Sequence, residues 1–144
     1  MDSSTLAAIA QRWHQDIYLR GRLDVADQIC TPGFVAHGTG VAPDAPTGPR
    51  FVREDAAGMR DAFEIRAVTD DDVIASGDRV AIRWTFRGTH VGPFLGVEGT
   101  GRQVTVTGMD IFRFEGDRIA EFWTEFNLMD LAEQIGAIPV AVVA

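Results

Sequence analysis

Two acids on one stretch, Asp110 and Glu125 within RQVTVTGMDIFRFEGDRIAEFWTEFN (Arg102 to Asn127), have the types and spacing to do chemistry. Val104, Val106, Gly108, Asp110 and Phe112 alternate with Thr105, Thr107, Met109, Ile111 and Arg113, the period of two that marks a strand. Gly116-Asp117, between Glu115 and Arg118, is a two-residue hairpin turn. A regular ladder from that turn sets Phe112 opposite Glu121, Asp110 opposite Trp123 and Gly108 opposite Glu125. Asp110 and Glu125 then become diagonal neighbours on one face, roughly 7–8 Å apart between backbones. Carboxylates facing an apolar hollow have raised pKa values, and a base poised nearer neutrality suits enolisation of a carbonyl. Two readings stand: an acid/base pair at the floor of a pocket, or a rim of solvated acids.

Other residues bear on the same hollow. His37, in the short strand Phe34 to His37, could shuttle a proton or bond a substrate carbonyl, or be a satisfied boundary residue. His90, in Gly88-Thr89-His90, sits where a strand leaves the sheet and could contact a ligand or hold the turn. Trp84, Phe112 and Trp123 read as aromatic wall and core able to orient a flat ligand. Asn127, the only asparagine, could donate a hydrogen bond. His14 and Tyr18, four apart, lie at the edge of a helical stripe, as boundary residues or overlooking a cavity.

Several chemistries are excluded. All thirteen basic residues are arginines, so no side-chain amine exists for a Schiff base. The three histidines are too scattered for a metal motif, and no metal is expected. Gly96-x-x-Gly99-x-Gly101 precedes a strand, not a helix, and cannot cradle phosphate. Neither a nucleophile elbow nor a Cys-His pairing is visible. A formal net charge of −8 argues against nucleic acid or an anionic membrane. With no membrane-length apolar run, no signal-peptide pattern and Cys30 alone, a cytoplasmic location is expected.

Helices and strands must position these groups. Leu6, Ile9, Ala10, Trp13 and Ile17 predict a helix from Thr5 to about Arg20, stopped by Gly21. A short helix follows from Leu23 to Ile29, and a third from Arg50 to Phe63. Between them the Gly- and Pro-rich run Gly38 to Pro49 reads as a lid, a binding loop or disorder. Val68 to Ala75 and Arg79 to Thr89 form a hairpin around Gly77-Asp78. Val80, Ile82, Trp84 and Phe86 give its second strand one apolar face. Arg83, Thr85, Arg87, Thr105 and Thr107 make an outer polar face, exposed or covered by a second subunit. A last helix spans Asp130 to Ile135, and the tail AIPVAVVA is expected to lie against a neighbouring surface. The whole, residues 1–144, reads as a single α+β domain: a curved antiparallel or mixed sheet with helices on its concave side, which leaves a cone-shaped hollow.

With these residues laid out, the chain resembles the SnoaL-like polyketide cyclases of the nuclear transport factor 2-like superfamily. The likeness is densest from Gly77 to Trp123 and continues to Gln134-Ile135-Gly136. It implies a cystatin-like α+β barrel, a homodimer formed through the outer sheet face, a small-molecule substrate, and neither metal nor organic cofactor. It implies a carboxylic acid moving protons in an aldol-type ring closure or isomerisation, with Glu125, Asp110 and His37 at matching pocket positions. Epoxide opening, dehydration, hydroxylation and plain ligand binding also occur on this scaffold. Trp123-Thr124-Glu125 is similar to the Trp-x-Asp of limonene epoxide hydrolase, lengthened by one methylene. The hydrolase's arginine would fall at Gly108, which favours the cyclase or isomerase side.

Overall fold

The computed structural model describes residues 2–140. Asp2 caps helix α1 (Ser3–Arg12), its carboxylate accepting from the Thr5 amide at 2.9 Å. The chain then widens into a π-helical segment, Trp13–Leu19, before α2 (Val25–Ile29) and strand β1 (Cys30–Gly38). Helix α3 (Pro49–Ala62) starts with proline at its first turn, where a missing N–H costs nothing. Strands β2 (Phe63–Ser76), β3 (Arg79–His90), β4 (Gln103–Glu115) and β5 (Arg118–Phe126) lead to α4 (Leu128–Gln134).

One five-stranded sheet results, in the order β1-β5-β4-β3-β2, with β1 parallel to β5 and the other pairs antiparallel. The α+β class and the mixed sheet are as the sequence implies. Closure is not: β1 and β2 form the two edges and do not pair, so the sheet is open rather than a barrel. Both edge strands carry register shifts, the points at which a strand bends.

Helices and sheet enclose two apolar clusters. In the first, Trp13 lies 4.4 Å from Phe122 and 5.4 Å from Phe112 between ring centroids, with Ile17, Phe34 and Ile82 around them. The second gathers Phe63, Phe86, Val104, Val106, Leu131 and Ile135. Trp84 packs against both. Of the tail, Ala137 packs on the second cluster while Val140 is exposed, and Ala141 to Ala144 lie outside the described residues.

One register shift decides the site. Glu115 faces Arg118, as the turn requires, and Phe114 faces Ile119, but Arg113 then faces Glu121. Ala120 is the extra residue, a β-bulge, and both Ile119 and Ala120 are buried. Beyond it every β5 side chain takes the face opposite to that of a regular ladder. Phe122, Thr124 and Phe126 point inward, with Thr124 opposite Asp110 and Trp123 opposite Ile111.

Candidate active site

Between the two clusters lies a cavity of about 290 Å³. Its wall is mostly apolar, including Trp13, Phe51, Val68, Trp84, Phe86 and Phe122. His14, Tyr18, Thr39, Asp55, Asp110 and Thr124 are the polar side chains on it.

At its floor, His14 bridges two acids. Nδ1 lies 2.7 Å from Asp70 Oδ1 and Nε2 lies 2.8 Å from Asp110 Oδ2. All three side chains are nearly sealed from solvent, at 6%, 4% and 2% exposed. Burial alone would lower the His14 pKa, but hydrogen bonds and charge from Asp110 and Asp70 outweigh it and push the value up to about 9. The ring is therefore an imidazolium at neutral pH, donating from both nitrogens. Asp110 Oδ1 and Trp84 Nε1 are buried without a hydrogen-bond partner among the described residues. Trp84 pairs with Gly108 and Asp110 with Ile82, so acceptor and donor are diagonal neighbours on the inner face. Gly108 makes room for this, since a Cβ there would overlap the Trp84 ring.

Backbone irregularities aim these groups. In the π-helical segment Arg20 N–H reaches Gln15 C=O, a five-residue step. The wide turn lets adjacent Trp13 and His14 both face the sheet, with Ile17 buried beside them. On β2, Asp70 faces Trp84 while Asp72 faces Arg83, leaving Asp71 as a bulge. Asp70 thus points inward to His14, whereas Asp72 pairs outward with Arg83 at 2.8 Å.

A second polar pair sits on the cavity wall. Tyr18 Oη donates to Asp55 Oδ2 at 2.6 Å, joining the π-helical segment to α3. Asp55 borders the cavity at a solvent-exposed position; desolvation by the protein around it raises its pKa, the Tyr18 bond opposes this and the charge of Asp110 adds to it. Burial, followed by Asp55, likewise raises the Tyr18 phenol well above its ordinary value.

The sequence-based candidates divide by position. Asp110, Trp84 and Tyr18 line the cavity. Glu125 does not: the Ala120 bulge turns it outward, where it is exposed and accepts from Thr39 Oγ1 at 3.0 Å. For the same reason Trp123 is on the outer face, stacked on His37 with the Arg79 guanidinium over its ring. His37, aligned with Trp123 across β1 and β5, is outside as well, 2.7 Å from Glu121, which Arg113 also holds. Phe112 points inward but is fully buried beneath Trp13 and is not on the cavity wall. His90 is fully buried, its Nδ1 accepting from the Thr100 amide at 3.2 Å, which holds the loop after β3. Asn127 caps α4, accepting from the Asp130 amide at 3.0 Å. Sequence reasoning missed Asp70 and Asp55 and placed His14 at a helix edge, as a boundary residue or overlooking a cavity, without singling it out for chemistry. The Asp70-Asp71-Asp72 run, hard to accommodate in an alternating strand, was the available signal.

Comparison with known proteins agrees with this architecture. No curated protein matches the chain at a significant level. Among solved structures, TsrD from Streptomyces laurentii superposes with a TM-score of 0.85 at 27% identity, covering 96% of this chain and 99% of that one. IdmH from Streptomyces antibioticus, a candidate polyketide cyclase, gives 0.75 at 28% identity, covering 90% and 98%. AclR from Streptomyces galilaeus, a candidate hydroxylase, gives 0.82 at 23% identity over 98% and 87%, a likeness of fold alone. The sequence model of the SnoaL-like polyketide cyclases matches residues 8–135, and the chain belongs to that family.

Proposed function

We propose that this protein is an acid/base enzyme of secondary metabolism that closes a ring, or shifts a double bond, in a carbonyl-rich polyketide-like molecule. Asp110 is the proton-transfer group. The observation that carries the reading is its divided carboxylate: Oδ2 is held by His14, while buried Oδ1 has no partner among the described residues. Oδ1 takes the proton from the carbon next to a carbonyl, the electron pair moves onto the carbonyl oxygen, and the Trp84 indole N–H is the donor placed to meet the developing charge. The enolate carbon attacks a second carbonyl of the same molecule, and the proton held on Asp110 passes to the new alkoxide. His14 fixes the carboxylate, and Asp70 fixes the ring of His14. None of these steps calls on a cofactor.

Solvent deuterium uptake tests this. In D2O the enzyme should accelerate exchange at the α-carbon of an aryl 1,3-diketone, read by proton NMR. Asp110→Asn should lose that rate by about a hundredfold or more. Equal exchange by both proteins would make the cavity a binding site instead.

The reading includes a homodimer through the outer sheet face. Met109 and Ile111 are exposed there at 60% and 41%, beside the Trp123 ring. It also includes a reducing, cytoplasmic setting. Cys30 is buried and unpaired, and burial pushes its thiol up to about 12, which leaves it inert. Among the described residues no helix is long and apolar enough to cross a membrane.

A further inference from the structure

The cavity is lopsided in charge. No arginine lines it and the chain has no lysine, while Asp55 and Asp110 both do. The one histidine on the wall is held between two carboxylates and offers an anion neither ring nitrogen. An anionic ligand entering this space would meet Asp55 and Asp110, with the single imidazolium of His14 already shared between Asp110 and Asp70.

Asp55 is the acid with capacity to spare. Its Oδ2 is taken by Tyr18, and its Oδ1 makes no hydrogen bond to the protein among the described residues. The Tyr18 bond fixes the carboxylate plane, so the free oxygen is presented in one orientation. Asp55 stands on α3 and Asp110 on β4, so the two acids reach the cavity from different layers. Asp110, 2% exposed with an unpaired oxygen, independently marks this space as built for a polar ligand.

We propose that Asp55, oriented by Tyr18, is a second polar subsite of the cavity, binding an O–H or N–H donor of the substrate remote from its reacting carbon. The substrate is then an uncharged hydroxylated molecule or an ammonium-bearing one, not a carboxylate or phosphate. This rests on the cavity being the substrate site, as in the reading above, and adds the class of molecule admitted.

Four bicyclic probes test it by calorimetry: 2-methylnaphthalene, 2-naphthylmethanol, 2-naphthylmethylammonium and 2-naphthoate. On the wild-type protein, the alcohol and the ammonium should bind at least tenfold more tightly than 2-naphthoate. Asp55→Asn should erase most of the ammonium's advantage over 2-methylnaphthalene, and Tyr18→Phe should reduce it less. Asp55→Ser serves as a second variant should Asp55→Asn fail to fold. Equal binding of 2-naphthoate and the ammonium, or an unchanged ratio in a folded Asp55 variant, would overturn the proposal. These probes carry no acidic C–H beside a carbonyl and read binding alone. A failure of proton transfer at Asp110 would leave their pattern intact, so the two ideas fall separately.

Discussion

The His14 imidazole lies 2.8 Å from Asp110 on β4 and 2.7 Å from Asp70 on β2, so one ring joins the helical layer to two strands of the sheet. The widened turn that carries His14 is part of how the site is made.

That bridge sets a pH dependence. His14 rises from 6.5 to about 9 on folding, so its stabilisation is fully present below 6.5 and is lost as pH climbs through 9. The loss should be on the order of 3 kcal/mol. Urea unfolding between pH 6 and 9.5 measures it, and His14→Gln should flatten this part of the profile. Asp70→Asn should lower the His14 titration followed by NMR. A wild-type profile as flat as that of His14→Gln would refute the charged bridge.

Glu125 and His37 should be dispensable for chemistry. Both lie on the outer side of the sheet, so Glu125→Gln and His37→Gln should keep turnover and shift stability by no more than about 0.5 kcal/mol. Asp110→Asn should lose activity while still binding the probes. Comparable losses at Glu125 and Asp110 would mean that β5 adopts the unbulged register in solution.

Gly108→Ala should be felt in the cavity. The added methyl group overlaps the Trp84 ring, which must swing away or strain, at a cost of about 1–3 kcal/mol. A shift in tryptophan fluorescence together with weaker 2-methylnaphthalene binding is the expected signature. Unchanged emission and affinity would show that the ring is not confined by Gly108.

The outer face makes a separate prediction. Ile111→Glu with Met109→Glu should halve the mass seen by sedimentation while leaving the circular dichroism unchanged. A wild-type protein already sedimenting as a monomer would remove the dimer.

Most of the fold was legible in the sequence because apolar periodicity and Gly-Asp turns are local signals. Leu6 through Ile17 marked the first helix, and Gly77-Asp78 and Gly116-Asp117 marked two hairpins that the structure contains. The site was legible only in part, because local rules assume a constant period. Asp110, three pairs inward of the Arg113–Glu121 pair on a strand without bulges opposite β3, landed where alternation put it. Glu125 and Trp123 did not, because one buried alanine in succession to a buried isoleucine reversed the count. Adjacent Ile119-Ala120 was the warning, since two neighbouring apolar residues cannot both face inward on a regular strand. His14 was hidden by a change of helical pitch, which leaves no compositional trace, and Asp70 by a bulge whose one sign is the Asp70-Asp71-Asp72 run.

The single supernumerary alanine on β5 also limits how this scaffold can be re-engineered. Any new functional group meant for the interior has to replace Phe122, Thr124 or Phe126, and Thr124, across the ladder from Asp110, is the most economical choice. Deleting Ala120 would do something more drastic. It would exchange the strand's two faces, setting Trp123 and Glu125 in the hollow and sending its aromatic lining out to water.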